Sequence, residues 1–339
     1  MKVKTERTEP LNYEKVFNNI VNATCNYLIT NRLKSMVLGI SGGIDSSVTA
    51  AICKVVSQKA NIPLIGVSLP CSTNGTDEVS SATLAGNEFC TTFEEINLEE
   101  VYETVEGFCK GTLHNIDTTP ISKGNIKARL RMITLYDIAS RMGGIVVDTD
   151  NLTEHFLGFW TLHGDDGDFN PIGCLWKHEV YGLAKWMKEN VYKDSKALEA
   201  AIAIMPTDGN GVKAGGDLAQ IAPGKTYDDV DDILYHWVNL SEKVKPMYAA
   251  DGLTESIKNT QFDNENEDAK QRRMEVCQKS GKEFVPTLGD KYGIDTVRGV
   301  CMRSWRSEFK RKQRPFTIDP FKGTILEKNG NVYEICCIC

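Results

Sequence analysis

The stretch from Met36 to Ser47, MVLGISGGIDSS, decides the fold. Its first five residues form a short apolar run, which is typical of a strand buried within a parallel sheet. The glycine-rich turn SGGIDSS follows at once, and a helix is predicted to continue over residues 48–56. Two glycines let the backbone approach phosphate closely, and the helix N-terminus offers unpaired N–H groups. We therefore predict a phosphate-binding turn.

Strand-like and helix-like segments alternate along the first half of the chain. The predicted strands are 36–40, 64–69, 93–98 and 145–147, and the predicted helices are 10–34, 48–56, 77–90 and 125–141. This alternation predicts an α/β fold with a doubly wound, mainly parallel sheet and helices on both faces. Ligands of such sheets bind beyond the carboxyl ends of the strands, so the loops after Ile40 and Val147 should converge.

The second half of the chain has weaker patterns. Residues 208–225 carry five glycines and few apolar residues, which predicts a mobile loop. Residues 240–300 are divergent and too mixed for an assignment. Residues 324–335 are predicted to form a hairpin across Asn329-Gly330, a pair typical of type I′ turns. The predicted organisation has two parts: a domain over 1–322, and the hairpin with a cysteine-containing tail over 323–339.

The composition of the chain restricts its class. Of 339 residues, 41% are hydrophobic and 25% charged, with a formal net charge of −7; such values are ordinary for a soluble globular protein. The acidic balance argues against nucleic acid as a partner, because binding of a phosphate backbone needs a broad basic surface. The sequence contains no apolar run of about 18 residues, so no membrane helix is predicted. The start, MKVKTERTEP, lacks the apolar core of a secretory signal.

Cysteine and histidine usage narrows the class further. Eleven cysteines, scattered without a CxxC pair in the body of the chain, do not predict a disulfide framework, and a reducing cytoplasm fits them best. Cys336, Cys337 and Cys339 form either a metal site or an incidental tail. The tail is favoured because no histidine or second thiol pair lies nearby. The five histidines form no triad with a placed nucleophile, so acyl transfer is not supported.

Asp45, inside the predicted turn, needs a chemical explanation. A carboxylate in a phosphate cradle would repel the ligand unless it binds a Mg²⁺ that the phosphate also binds. Ser41, Ser46 and Ser47 can add hydroxyl donors, and the turn lacks the GxxxxGK[ST] pattern of a Walker loop. The structural alternative is a plain strand-to-helix turn with an Asp–Ser cap.

These residues resemble the pyrophosphate loop of the ATP pyrophosphatase superfamily. Later segments are similar, in the same order, to motifs of one family within it, the ammonia-dependent NAD synthetases. The matching segments are KGNIKARLRM at 123–132, VDTDNLTE at 147–154, GFWTLHGD at 158–165 followed by NPI at 170–172, MPTD at 205–208, TYDDVDD at 226–232 and SEFKR at 307–311. Six matches in the family's order, over about residues 36–320, are a highly specific resemblance to this family.

The resemblance implies an adenine nucleotide α-hydrolase-like fold and amidation of deamido-NAD to NAD, with ATP and ammonia, by a cytoplasmic homodimer. An adenylated nicotinate would be the intermediate, and AMP and pyrophosphate the products. The implied ATP-binding residues are Gly39, Ile40, Ser41, Gly42, Gly43, Ile44, Asp45, Ser46, Thr149, Lys177 and Thr207. The implied deamido-NAD contacts are Arg129, Asp168, Phe309 and Lys310. Asp45 and Glu154 would bind Mg²⁺, and with Lys177 would form the catalytic group.

The chemistry of such a reaction agrees with these residue types. Two carboxylates on two loops at one sheet edge suit a hard cation, and nucleotidyl transfer depends on positioning and charge neutralisation more than on a covalent nucleophile. Lys127, Arg129 and Arg131 alternate along a predicted helix and cannot all face one ligand. At least one of them should therefore be structural.

Some positions depart from the family pattern and keep alternatives open. Leu162 replaces a lysine, Phe309 a histidine and Asp148 a glycine, so adenylation of a different small acid stays possible. A tRNA base as substrate is opposed by the acidic charge. A degenerate ATP sensor would show damage at Asp45, Glu154 or the two glycines, which are all present. Only about one helix precedes the turn, so ammonium rather than glutamine is the expected nitrogen donor.

Overall fold

The computed structural model describes residues 11–112, 118–204, 218, 221–239, 288–311, 317–319 and 324–326. The chain comprises two compact units. The first unit comprises residues 1–154 and 160–217, and the second comprises residues 155–159 and 218–339. Among the helices of these described ranges, none is both long and apolar enough to cross a membrane.

The first unit contains one sheet and most of the helices. Its strands are β1 (Met36–Gly39), β2 (Leu64–Ser68), β3 (Thr92–Glu95) and β4 (Ile145–Val147). Its helices are α1 (Tyr13–Thr30), α2 (Ile44–Ala60), α3 (Thr76–Phe89), α4 (Glu99–Thr112), α5 (Pro120–Met142), α7 (Lys177–Asn190) and α8 (Lys196–Ala203). The short helix α6 (Leu152–Leu157) begins in the first unit and ends in the second.

The sheet has the strand order β3-β2-β1-β4, and all three pairings are parallel. Central strand β1 is apolar throughout because it is covered on both faces. Met36 and Leu38 lie in a core that contains residues of α1, α2, α7 and α8, whereas Val37 packs in a second core with residues of α4 and α5. Alternate strand residues point to opposite faces, so this division confirms the predicted doubly wound fold.

Helix α5 begins five residues before its predicted start. Thr119 is the N-cap, and its side chain accepts a hydrogen bond from the Ser122 N–H at 3.1 Å. Pro120 occupies the first helical position, where its missing N–H and fixed φ carry no penalty. Gly143 ends the helix in the left-handed conformation, with φ of 61°, as helix C-termini commonly do.

The described part of the second unit contains four helices and two short strands. Its elements are α9 (Tyr227–Asn239), α10 (Leu288–Tyr292), α11 (Ile294–Arg306), α12 (Glu308–Arg311) and the antiparallel strands β5 (Thr317–Asp319) and β6 (Thr324–Leu326). Trp237 of α9 and Trp305 of α11 meet edge to face, with centroids 6.1 Å apart. Strand β6 begins where the predicted hairpin begins. The predicted turn at Asn329-Gly330 lies outside the described residues, as do most of 208–225 and residues 240–287.

Candidate nucleotide and cation site

The turn between β1 and α2 is shorter than predicted, because α2 already begins at Ile44. Asp45 and Ser46 therefore lie in the first helical turn, and only residues 41–43 lie outside an element after Ile40. Gly42 has φ of 84°, and an added Cβ would collide with the Glu78 carbonyl oxygen. Ser81 of α3 donates to the Gly42 carbonyl at 2.8 Å. Glycine is required here both by conformation and by the close approach of α3.

Two serines close the turn. The hydroxyls of Ser41 and Ser46 lie 3.1 Å apart, and Ser46 Oγ donates to the Gly43 carbonyl at 3.1 Å. Ser46 is buried, whereas Ser41 is exposed at the surface of the turn. Ser46 therefore holds the shape of the turn from inside, and the Ser41 hydroxyl lies at its exposed surface.

The centre of the site is a lysine between two carboxylates. Lys177, the first residue of α7, donates to Asp45 Oδ2 and to Glu154 Oε1, the latter at 3.0 Å. Its side chain is 3% exposed, whereas those of Asp45 and Glu154 are 15% and 20% exposed. The ammonium is thus enclosed while both carboxylates reach solvent. The contacts also confirm that the loops after β1 and β4 meet.

The Glu154 side chain reaches solvent with only a fifth of its surface, and its burial controls the electrostatics of the site. Desolvation raises the pKa of Glu154 to about 7, although the Lys177 ammonium opposes the shift. Two carboxylates face one ammonium, so a fully ionised cluster carries excess negative charge. Carboxylate oxygens that converge on one point and reach solvent fit a hard divalent cation such as Mg²⁺. The donor set predicted at Asp45 and Glu154 therefore suits that ion.

Asn151 was not predicted as a site residue from the sequence. It contacts both carboxylate residues of this cluster. Its side chain is fully buried, and its Nδ2 donates to Asp45 Oδ1 at 2.9 Å. Its Oδ1 accepts from the Glu154 N–H at 3.0 Å, and its own N–H donates to Glu154 Oε2 at 3.2 Å. These reciprocal bonds form a capping box at the start of α6. The Asn-x-x-Glu spacing was the signal that could have revealed it.

A second acidic group follows β4. Asp148, Asp150 and Asp166 each place one carboxylate oxygen within 4.8 Å of the others. Burial raises the pKa of Asp150 well above its ordinary value, and neighbouring carboxylates add to the shift. Thr149, an implied ATP contact, lies half-buried between two of these residues.

Of the three alternating basic residues, two are structural, as expected. Lys127 is buried and donates to Thr73 Oγ1 at 2.7 Å, and Arg131 Nε donates to the Leu69 carbonyl at 3.0 Å. Both hold the loop after β2. Arg129 is exposed instead, and its Nη2 donates to the Leu162 carbonyl at 3.2 Å. Arg129 is therefore the one of the three whose side chain is exposed to solvent.

The remaining implied substrate contacts belong to different elements of the two units. The Asp168 carboxylate accepts from the Tyr136 hydroxyl at 2.9 Å and from the Val146 N–H at 3.3 Å, so α5 and β4 hold it. Lys310 belongs to the second unit and donates to the Gly158 carbonyl at 2.7 Å. Phe309 lies in α12, but its side chain falls outside the described atoms, and Thr207 falls outside the described residues altogether.

The fold and the site define an α/β protein with a glycine-rich, phosphate-binding type of turn beside a carboxylate pair. Comparison with known proteins narrows this class. The family model for NAD synthase matches residues 16–275, which is most of the chain. The chain belongs to the NAD synthase family.

Individual relatives agree with this assignment. The NH(3)-dependent NAD(+) synthetase of Thermoplasma volcanium is 35% identical over 202 residues, covering 59% of this chain and 76% of that protein. The protein of the same name from Chlorobium phaeovibrioides is 30% identical over 246 residues, covering 72% of this chain and 82% of the relative. Among solved structures, NMN synthetase from Francisella tularensis superimposes with a TM-score of 0.57 at 27% identity, covering 66% and 86% of the two chains.

Proposed function

We propose that this chain amidates deamido-NAD to NAD with ammonia and ATP, releasing AMP and pyrophosphate. The observation that carries the proposal is the contact of Lys177 with both Asp45 and Glu154 beside the turn between β1 and α2. That arrangement gathers an ammonium, two carboxylates and a helix N-terminus at one sheet edge. Family membership and relatives named NH(3)-dependent NAD(+) synthetase support the choice of reaction.

ATP would bind with its phosphates at the turn. Gly39 to Ser46 supply backbone and hydroxyl groups, with Thr149, Lys177 and Thr207 as further contacts, the last of these lying outside the described residues. The N-terminus of α2 favours negative charge. Asp45 and Glu154 would hold a Mg²⁺, which when bound neutralises charge on the departing pyrophosphate. Lys177, once released from the carboxylates, would supply a second positive charge to the phosphates.

The chemistry needs no covalent nucleophile from the protein. A carboxylate oxygen of the nicotinate attacks the α-phosphorus, the bond to pyrophosphate breaks, and a nicotinate adenylate forms. Ammonia then attacks the carbonyl carbon, loses a proton and displaces AMP, which leaves the amide. The protein's contribution is orientation and charge neutralisation, which are the main sources of catalysis in nucleotidyl transfer.

The dinucleotide side of the site rests on four residues: Arg129, Asp168, Phe309 and Lys310. Of these four residues, Arg129 gives the proposed deamido-NAD site the most support. Its exposed guanidinium lies beside Leu162, where the family pattern has a lysine. A homodimer belongs to the same proposal. Phe108 of α4 and Ile121 of α5 are 73% and 77% exposed, and large exposed apolar side chains on adjoining helices favour a protein interface.

The cell compartment proposed for this reaction is the cytoplasm, which the scattered cysteines favour. Nucleic acid is not a proposed partner, because the net charge of the chain is −7. Neither a membrane partner nor a covalently attached cofactor is needed for the chemistry.

A mononucleotide substrate is the second candidate. It is favoured by the similarity to a protein named NMN synthetase and by Leu162 and Phe309, which depart from the family pattern on the dinucleotide side. Either substrate would use the same nucleotide and cation site. The two candidates differ only in whether an adenylate half must be bound beyond the nicotinate ribosyl phosphate.

One assay separates these possibilities. The purified chain is incubated with ATP, Mg²⁺ and ammonium, together with either deamido-NAD or nicotinate mononucleotide, and the products are resolved by chromatography. We expect NAD, AMP and pyrophosphate in equal amounts, with deamido-NAD preferred. Preference for the mononucleotide would support the second candidate, and no amide from either substrate would refute the proposed function. Replacing ammonium by glutamine tests the nitrogen source, and we expect no useful rate with glutamine.

A further inference from the structure

Asn151 lies in the loop between β4 and α6, at a position that the family motif leaves unspecified. It is one of few polar side chains with no exposed surface among the described residues. A buried amide of this kind is retained only where its hydrogen bonds are satisfied. Here those bonds go to the two residues that carry the carboxylates of the candidate cation site.

The division of the carboxylate oxygens is the informative feature. Asn151 binds Asp45 Oδ1 through its side chain and Glu154 Oε2 through its backbone N–H. Lys177 binds the other oxygen of each group, Asp45 Oδ2 and Glu154 Oε1. Each carboxylate therefore has one oxygen bound by Asn151 and the other oxygen bound by the Lys177 ammonium.

We propose that Asn151 is a positioning residue that holds Asp45 and Glu154 in a geometry ready for a divalent cation. The proposal rests on the proposed function, because it takes these two carboxylates as the Mg²⁺ ligands. When Lys177 turns to the phosphates of ATP, the two carboxylates lose their common partner and repel each other. Asn151 would keep both in place, since its contacts use the two carboxylate oxygens that Lys177 does not bind.

A purely structural role would account for only part of this arrangement. A helix cap needs the Asn151 side-chain oxygen, which accepts from the Glu154 N–H. It does not need the contact from Nδ2 to Asp45, which joins the loop after β4 to α2 across 106 positions of sequence. That contact orients a proposed metal ligand, and partners of this type commonly change metal affinity 10- to 100-fold.

Serine at position 151 separates the two roles. Serine caps helices as well as asparagine does, but its hydroxyl is too short to reach Asp45. We therefore expect Asn151→Ser to keep the melting temperature close to that of the wild type. Its affinity for Mn²⁺, measured by EPR titration of the metal in the presence of α,β-methylene-ATP, should fall roughly tenfold. The apparent KM for Mg²⁺ should rise to a similar extent. The KM for deamido-NAD should not change.

Two further variants complete the test. Ser195→Ala removes the buried cap of α8, whose Oγ accepts from the Leu198 N–H at 3.0 Å. It should lower the melting temperature without altering Mn²⁺ affinity, and so controls for loss of stability. Wild-type Mn²⁺ affinity in Asn151→Ser would overturn the positioning role. Wild-type Mn²⁺ affinity in Asp45→Asn would instead remove the metal site itself, and with it the proposed function on which this inference depends.

Discussion

Lys177 donates a hydrogen bond to Asp45 across 132 positions of sequence, and it does so from the first residue of its helix. Its backbone N–H is bound as well, by Thr153 Oγ1 at 2.8 Å. The lysine therefore joins the starts of α2, α6 and α7 at one point. Removing one member of a buried ion cluster leaves the charges of its partners uncompensated. The cluster of Asp45, Glu154 and Lys177 must therefore be tested with variants that keep side-chain volume.

Asp45→Asn keeps the size of the side chain but removes its charge. We expect pyrophosphate release to fall roughly 100-fold or more, because a neutral amide would not hold the proposed Mg²⁺ that offsets charge on the phosphates. The measurement is pyrophosphate formation at saturating ATP and Mg²⁺. Asp194→Asn, an exposed acid before α8, is the matched control and should retain full activity. Near-normal turnover of Asp45→Asn would exclude this carboxylate from the metal site.

Gly42→Ala tests the shape of the phosphate-binding turn. The left-handed φ of 84° and the collision with the Glu78 carbonyl predict a strain of roughly 1–3 kcal/mol. Both the melting temperature and the affinity for ATP should fall. Gly75→Ala is the control, because an added Cβ there meets nothing within 4 Å. Equal ATP affinity in the two variants would show that the turn tolerates a side chain and that the close approach of α3 is not essential.

Arg129→Ala tests the dinucleotide side of the site. Loss of a charged hydrogen-bond donor predicts a rise of roughly tenfold in the KM for deamido-NAD, with little change in the KM for ATP. Steady-state kinetics with each substrate varied in turn measures both. Arg141→Ala removes an exposed guanidinium from the same helix, where it pairs with Asp137 at 2.9 Å, and should leave both values unchanged. Equal effects on the two substrates would refute the assignment of Arg129.

Cation binding should depend on pH through Glu154. Burial raises its pKa from an ordinary 4.5 to about 7, so below pH 7 the folded, ligand-free protein holds a proton that a cation must displace. Mn²⁺ affinity should therefore weaken as pH falls, by up to about tenfold per unit well below the pKa. For folding the sign is opposite: between pH 4.5 and 7 the folded state binds more protons at this group, so its contribution favours folding at low pH and is lost as pH rises through 7.

Titration of Mn²⁺ at pH 6 and pH 8 measures this dependence. Glu154→Gln cannot titrate at this position and should bind more weakly overall, with a flatter response to pH. A wild-type affinity that is the same at both pH values would show that Glu154 is already ionised at pH 6. In that case the Lys177 ammonium, rather than burial, would control its protonation.

Local patterns predicted the elements whose residues determine their own conformation. Strands β1, β2 and β4 and helix α3 lie close to their predicted positions because their apolar runs and flanking polar turns are continuous in sequence. Helices α4, α7 and α8 were not assigned, since their apolar residues are interspersed with charges and are recognisable only by what they cover. Met187 and Leu198, for example, are fully buried in the core around β1.

The sequence by itself determined the glycine-rich turn between β1 and α2, because a strand, two glycines and a helix start are adjacent in the chain and need no distant partner. It also specified, through ordered motifs, that Asp45, Glu154 and Lys177 belong to one site. Only the tertiary structure decided how these residues share their oxygens, and that Asn151 takes one from each carboxylate. The physical reason is that parallel strands β1 and β4 pair side by side. This pairing brings together loops more than a hundred residues apart, and although the Asn151–Glu154 bonds follow from a local spacing, no local pattern encodes the bond from Asn151 to Asp45.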